Sequence, residues 1–178
     1  MTGLTWLLLA VVVLGLLLSQ LAGRLDRLHK RVDATRESLR EHLLLRCSEV
    51  IELAGLDWLD PASEILLSDA AHKAQDDPTV IDVDAENDLT GTLAAAFPDQ
   101  ASVREIAEQQ GGAELLDRLT SVCRRLIHAK TFHDDAVQQC QRMRQRPLVR
   151  LFRLAGRARY PQFLALAVDL PEGFEQSR

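Results

Sequence analysis

Seven arginines, Arg142, Arg144, Arg146, Arg150, Arg153, Arg157 and Arg159, fall within eighteen residues that contain no acid. Guanidinium groups at that density suit phosphate, on a lipid headgroup or on a nucleic acid. From Pro147 the apolar residues Leu148, Leu151, Phe152 and Ala155 interleave with Arg150, Arg153 and Arg157 at helical spacing, which predicts a short basic amphipathic helix ended near Gly156. Two readings of it stand. The helix lies on anionic lipid, where each basic residue contributes about 1 kcal/mol, or it is a solvated helix that packs Leu148 and Phe152 on a bundle. Nucleic acid is not an expected partner: no aromatics interleave with the arginines as stacking platforms, and the chain is acidic overall, with formal net charge -5.

Other residues capable of chemistry read as structural. His133 occupies a position where the seam of a long helix would carry a hydrophobe, so it is assigned as a polar seam residue that sets register between helices. His128 lies five residues away, on a different face, whereas a shared metal needs a spacing of four. Asp82, Asp84, Glu86 and Asp88 gather at a helix start, where acids complement the helix dipole, and the central glycine of a calcium-binding loop is missing. Cys47, Cys123 and Cys140 fall on or beside helix seams as small buried hydrophobes. Three cysteines cannot all pair in one chain, and such sparse usage fits a reducing compartment. With no CxxC pair, Gly-rich phosphate loop, HExxH or GxSxG elbow in the chain, no catalytic residue, cofactor or metal is expected. The alternative is an enzyme or metal-dependent regulator built on Asp82 to Asp88 with His128 or His133.

The elements that must position the arginines begin with Met1 to Ala22. The run from Leu4 to Leu18 is almost wholly apolar, and no side chain before Arg24 is charged. The roughly 20 residues from Thr2 to Leu21 span about 30 Å as a helix, the thickness of the hydrocarbon core, which predicts a transmembrane anchor over residues 1–23. The rival, a cleaved secretory signal, is opposed by the length of the run and by a poor cleavage site at Gln20-Leu21-Ala22. Arg24, Arg27, Lys30 and Arg31 follow the span, so the positive-inside rule puts the amino terminus outside and the remainder in the cytoplasm.

The 178 residues suit one domain plus the anchor, and with 47% apolar but only 4% aromatic residues, mostly Leu and Ala, the expected fold is all-α. Beyond the anchor, Leu21, Leu25, Leu28, Val32, Leu39, Leu43, Val50 and Ala54, with Thr35 and Cys47 in the gaps, predict one unbroken helix to about Leu56. A second helix, capped by Asp60, is expected from Pro61 to about Gln75, burying Ile65, Leu66 and Ala70. A third starts near Asp82 or Asp84 and carries Leu89 and Leu93 to Phe97-Pro98. Ser102 and Glu105 suggest a capping box for a short piece over Ala101 to Gln110.

Leu115, Leu119, Val122, Leu126, Ala129, His133, Ala136, Cys140 and Met143 then alternate spacings of four and three, predicting a helix of roughly 33 residues that pairs antiparallel with the first. The expected organisation is an anchor (1–23), an antiparallel bundle (24–145) and a basic amphipathic helix with C-terminal tail (146–178). Charges from Asp57 to Asp117 are acidic except Lys73 and Arg104, and those from Arg118 to Arg159 are basic except Asp134 and Asp135. Antiparallel return of the last long helix would bring the basic end to an anionic leaflet.

Three blocks give the chain a family likeness. Val32-Asp33 with Leu39, Leu43 and Arg46, then Ala85-Glu86-Asn87-Asp88-Leu89 with Leu93 and Phe97-Pro98-Asp99, then Ala129 to His133 with Ala136 and Val137, resemble in order the blocks of the LemA family of small membrane-anchored bacterial helical proteins. The resemblance covers most of residues 28–140. It implies an anchor plus an elongated antiparallel bundle, and it brings no catalytic residues. The function expected is a non-enzymatic platform for protein partners at the cytoplasmic face, with its arginines on anionic lipid. Direct lipid or envelope remodelling is the alternative. The identity of the partners and self-association through the seams stay open.

Overall fold

The computed structural model describes residues 2–156 and 158–175. Seven helices follow in order, α1 (Thr2–Ala54), α2 (Pro61–Gln75), α3 (Val83–Ala96), α4 (Gln100–Ala107), α5 (Gly112–Arg144), α6 (Pro147–Leu151) and α7 (Glu172–Glu175), and no strand occurs among the described residues. The chain is all-helical, and α1 contains a window with mean hydropathy 2.3, none of it buried. A core helix would be covered; this one exposes Leu8, Leu16 and their neighbours, and it is long and apolar enough to cross a membrane.

The chain divides into two compact units. The first comprises Met1–Arg36 and His133–Phe163, the second Glu37–Phe132 and Leu164–Arg178, so each takes one stretch of α1 and one of α5.

In the first unit, Leu25 and Val32 from α1 are buried with Ala136, Val137, Cys140 and Met143 from α5 and Val149 from α6. Three polar pairs accompany that core: Thr35 Oγ1 with His133 Nδ1 at 3.3 Å, Arg31 with Gln139 Oε1 at 3.4 Å, and Arg144 with His29 Nε2 at 3.1 Å. The predicted amphipathic helix over 147–156 is corrected to the five residues of α6. Arg153 turns to φ 48°, its amide donates to the Arg150 carbonyl, and the Leu154 amide donates to the Val149 carbonyl at 3.0 Å. That double closure is a Schellman ending, with Val149 and Leu154 packed together in the core. Burying this pair outweighs the cost of about 1–2 kcal/mol for a non-glycine residue in the left-handed region.

In the second unit, one cluster joins Leu39 and Leu43 of α1 to Leu126 and Ala129 of α5, with Ile81 and Leu166. A larger one joins Cys47, Val50 and Leu53 to α2, α3, α4 and the start of α5. Arg118 donates to Glu49 at 3.0 Å and to Glu52 at 2.6 Å. The Asp60 side chain caps α2 and that of Asp82 caps α3, each accepting two backbone amides.

Two expectations about this unit are corrected. Helix α2 buries Leu67, Ala70, Ala71 and Ala74, while Ile65 and Leu66 are 70% and 60% exposed; the buried set repeats every three to four residues, and Ile65 lies two positions, about 200°, away from it. The cap of α4 is Asp99 rather than Ser102, because the Asp99 carboxylate reaches the amides of Ala101 and Ser102 while the Ser102 hydroxyl donates to the Asp99 carbonyl.

After Tyr160 the chain forms no helix until α7, and Leu166 and Phe174 are buried in the second unit. Asn87 holds this strap at two points, donating to the Ala165 carbonyl (3.0 Å) and accepting from the Ala167 amide (2.7 Å).

Candidate functional site

The arginines sort by what already occupies them. Arg144 donates to the carbonyls of Ala158 (3.1 Å) and Arg159 (2.8 Å), and its guanidinium stands 5.2 Å over the Tyr160 ring. His29 completes the clamp: its Nδ1 donates to the Leu25 carbonyl, which leaves Nε2 to accept from Arg144. Arg142, Arg146, Arg150, Arg153 and Arg159 are exposed, and none pairs with an acid among the described residues. Arg157 lies outside the described residues.

Helical periodicity builds a cleft from this set. Gln139, Arg142 and Met143 lie on one face at the end of α5, Arg146 follows one turn on, and Arg24 and Leu28 lie four apart on α1. These six residues line a cleft of about 190 Å³, three of them arginines and none acidic. Arg146 has extended backbone before Pro147 and makes no capping bond with its side chain. Arg24 also belongs to a second, larger cleft of about 540 Å³, lined further by Leu17, Gln20, Leu21, Arg27 and Leu148.

Leu148, Leu151 and Phe152 are 42%, 74% and 41% exposed. Leu148 and Phe152 are thus partly covered, Leu151 stands mostly in the open, and the buried residue of α6 is Val149. Unpaired arginines and uncovered large hydrophobes thus share the unit that carries the apolar helix, the combination that interfacial segments present to lipid.

The remaining candidates are placed differently. His133 is 2% exposed beside Thr35, whose hydroxyl also donates to backbone carbonyls of α1, whereas His128 is exposed. The acidic cluster does not stay together. Asp82 is the α3 cap, Asp84 and Asp88 face solvent, and Glu86, also in the first turn of α3, turns inward.

Glu86 accepts from the Arg46 guanidinium at 2.5 Å, with side chains 3% and 2% exposed. Arg46 also donates to Thr90 Oγ1 at 2.8 Å, and Thr90 stands 2.8 Å from the Ala167 carbonyl. Burial pushes the Glu86 carboxyl above its ordinary value despite the pull of Arg46. The three thiols are buried. Burial pushes Cys47 up to about 12, with Glu86 adding to it, and raises Cys123 and Cys140 as well, which leaves them unreactive near neutral pH. Sequence reasoning missed the Arg46–Glu86 pair; its signal was a lone arginine three residues after Leu43 on a seam otherwise apolar.

Comparison with protein-family models, with curated proteins and with solved structures gave no match. Fold and site together define a helical protein with one helix long and apolar enough to span a membrane, and with an arginine-lined unit attached to that helix.

Proposed function

We propose that this is a single-pass, LemA-like membrane protein, with its amino terminus outside and its helical units in the cytoplasm, that works as a non-enzymatic interaction platform. The division of charge between the two units carries the proposal. The unit that includes the apolar helix holds twelve Lys and Arg against four Asp, a net of +8, while the other holds nine against twenty-two Asp and Glu, a net of -13. An anionic cytoplasmic leaflet attracts the first and repels the second. The basic unit rests on lipid, and the acidic unit receives protein partners.

Antiparallel pairing of α1 with α5 is part of this reading. In the first unit, partners run in reverse order, Thr35 with His133, Arg31 with Gln139 and His29 with Arg144. The second unit has the same sense, Glu49 and Glu52 pairing with Arg118 while Leu39 and Leu43 share a cluster with Leu126 and Ala129. Arg46, Glu86 and Asn87, which belong to the resembling blocks, form the buried pair and the clamp on the strap.

A topology reporter tests the proposal. A fluorescent protein fused after Arg178 should fluoresce and a phosphatase fused there should be inactive. An active phosphatase fusion would put the arginines on the wrong face and end the reading.

A further inference from the structure

We infer that the cleft of Arg24, Arg142 and Arg146 is a discrete site for one anionic glycerophospholipid, its phosphate among the guanidiniums and its acyl chain in the adjoining cleft of Leu17, Leu21 and Leu148. The inference rests on the membrane reading above but asks for more, since attraction to a charged leaflet needs no particular arginine.

Four observations carry it. Three arginines, from α1, α5 and the residue before α6, line one space of about 190 Å³, below the roughly 300–1,000 Å³ of sites for drug-sized ligands and suited to a phosphate group. None of the three has an ion-pair partner among the described residues, and Asp26, two residues from Arg24 and so on another face of α1, pairs with Lys30 at 2.8 Å. Gln139 lines the same cleft with its Oε1 facing Arg31. Arg24 lines both this cleft and a second one that carries Leu17 and Leu21 of the apolar helix and the exposed Leu148. A free phosphate would use only the first cleft; the lipid uses both.

Three positive groups around one anion favour the headgroup with most charge. A phosphomonoester carries about -1.5 to -2 near pH 7, a phosphodiester only one charge, and a zwitterionic headgroup none in net. Phosphatidate should therefore be held more tightly than phosphatidylglycerol, and both more tightly than phosphatidylcholine.

The test is native mass spectrometry of the full chain in mild detergent, titrated separately with these three lipids and with inorganic phosphate. Wild type should retain a single phosphatidate. Arg24→Gln/Arg142→Gln/Arg146→Gln should weaken retention by about tenfold or more, the scale of a lost charge-assisted contact. The charge-matched Arg150→Gln/Arg153→Gln/Arg159→Gln chain, whose changes lie outside the cleft, should retain phosphatidate as wild type does. Both sets alter exposed arginines, and circular dichroism should show equal helicity in all three proteins.

Equal loss in the two triple variants overturns the discrete site while leaving the leaflet reading intact. Inorganic phosphate competing as well as phosphatidate overturns the lipid assignment. Phosphatidylcholine retained as firmly as phosphatidate by wild type overturns the site and the leaflet reading together.

Discussion

Arg46→Met should destabilise the chain in a way that depends on pH, because the two members of the buried pair differ in how they tolerate isolation. A guanidinium keeps its charge in any protein environment. A carboxyl escapes by taking a proton, and burial already pushes Glu86 in that direction from its ordinary 4.5. Without Arg46 the Glu86 side chain, 3% exposed, folds neutral. At pH 7, holding a group of ordinary value 4.5 protonated costs about 3.4 kcal/mol, at 1.36 kcal/mol per pH unit. At pH 5 the same step costs about 0.8 kcal/mol.

The sign follows from the raised value. Whatever Glu86 contributes is fully present below its ordinary value and is lost as pH climbs through its folded one. Wild type drifts in that direction too, so each variant is compared with wild type at the same pH. Urea titrations of the full chain in detergent should find the cost of Arg46→Met smaller at pH 5 than at pH 7, by up to about 2.5 kcal/mol. Glu86→Leu strands a permanent charge instead and should cost about 3–5 kcal/mol at both values. Arg46→Met/Glu86→Leu should come out neutral or more stable by about 1–4 kcal/mol. A cost for Arg46→Met that is flat between pH 5 and 7 would refute the reasoning, since Glu86 would then stay ionised in the folded state.

Three further outcomes follow from particular contacts. Gly173→Ala would set a Cβ 2.5 Å from the Asp99 carbonyl oxygen and 2.8 Å from Val103 Cγ2. It should pry Phe174 from Phe97, whose ring centroids are 4.9 Å apart, at about 1.5–3 kcal/mol by urea titration. Arg144→Gln removes the clamp on Ala158, Arg159 and Tyr160; trypsin should then cut after Arg159 faster than in wild type, and an unchanged rate would count against the clamp. On α2, Leu67→Ala should cost about 2–5 kcal/mol, whereas Ile65→Ser and Leu66→Ser should each stay within about 0.5 kcal/mol.

Periodicity made the long helices readable because each repeats one choice many times. The nine seam residues from Leu115 to Met143, His133 included, are all buried as the alternation of four and three demanded. Asp60 was equally plain, since a helix start states its need in one side chain, while for α3 Asp82 and Asp84 both qualified and the structure uses Asp82. Short elements were not. Helix α6 stops where Val149 and Leu154 meet across a left-handed Arg153, a local closure without the glycine that usually announces it. The strap was legible but in the wrong alphabet: Leu164, Leu166, Val168 and Leu170 alternate with period two, the pattern of an extended chain with one buried side, inside a sequence being read for helices.

Charge taught the opposite lesson, that a linear pattern can be right in sum and wrong in place. Along the sequence the basic stretch starts at Arg118, yet Arg118 is occupied by Glu49 and Glu52. It belongs, with Arg124, Arg125 and Lys130, to the acidic unit. Conversely Arg24 and Arg27, which sequence reading used only to orient the span, face the same clefts as Arg142, Arg146 and Leu148. An arginine matched by a carboxylate has little left to offer a phosphate, while one without a partner keeps its full field. Counting basic residues would thus rank Arg118 with Arg142; pairing separates them, and Arg118→Gln should leave phosphatidate retention unchanged.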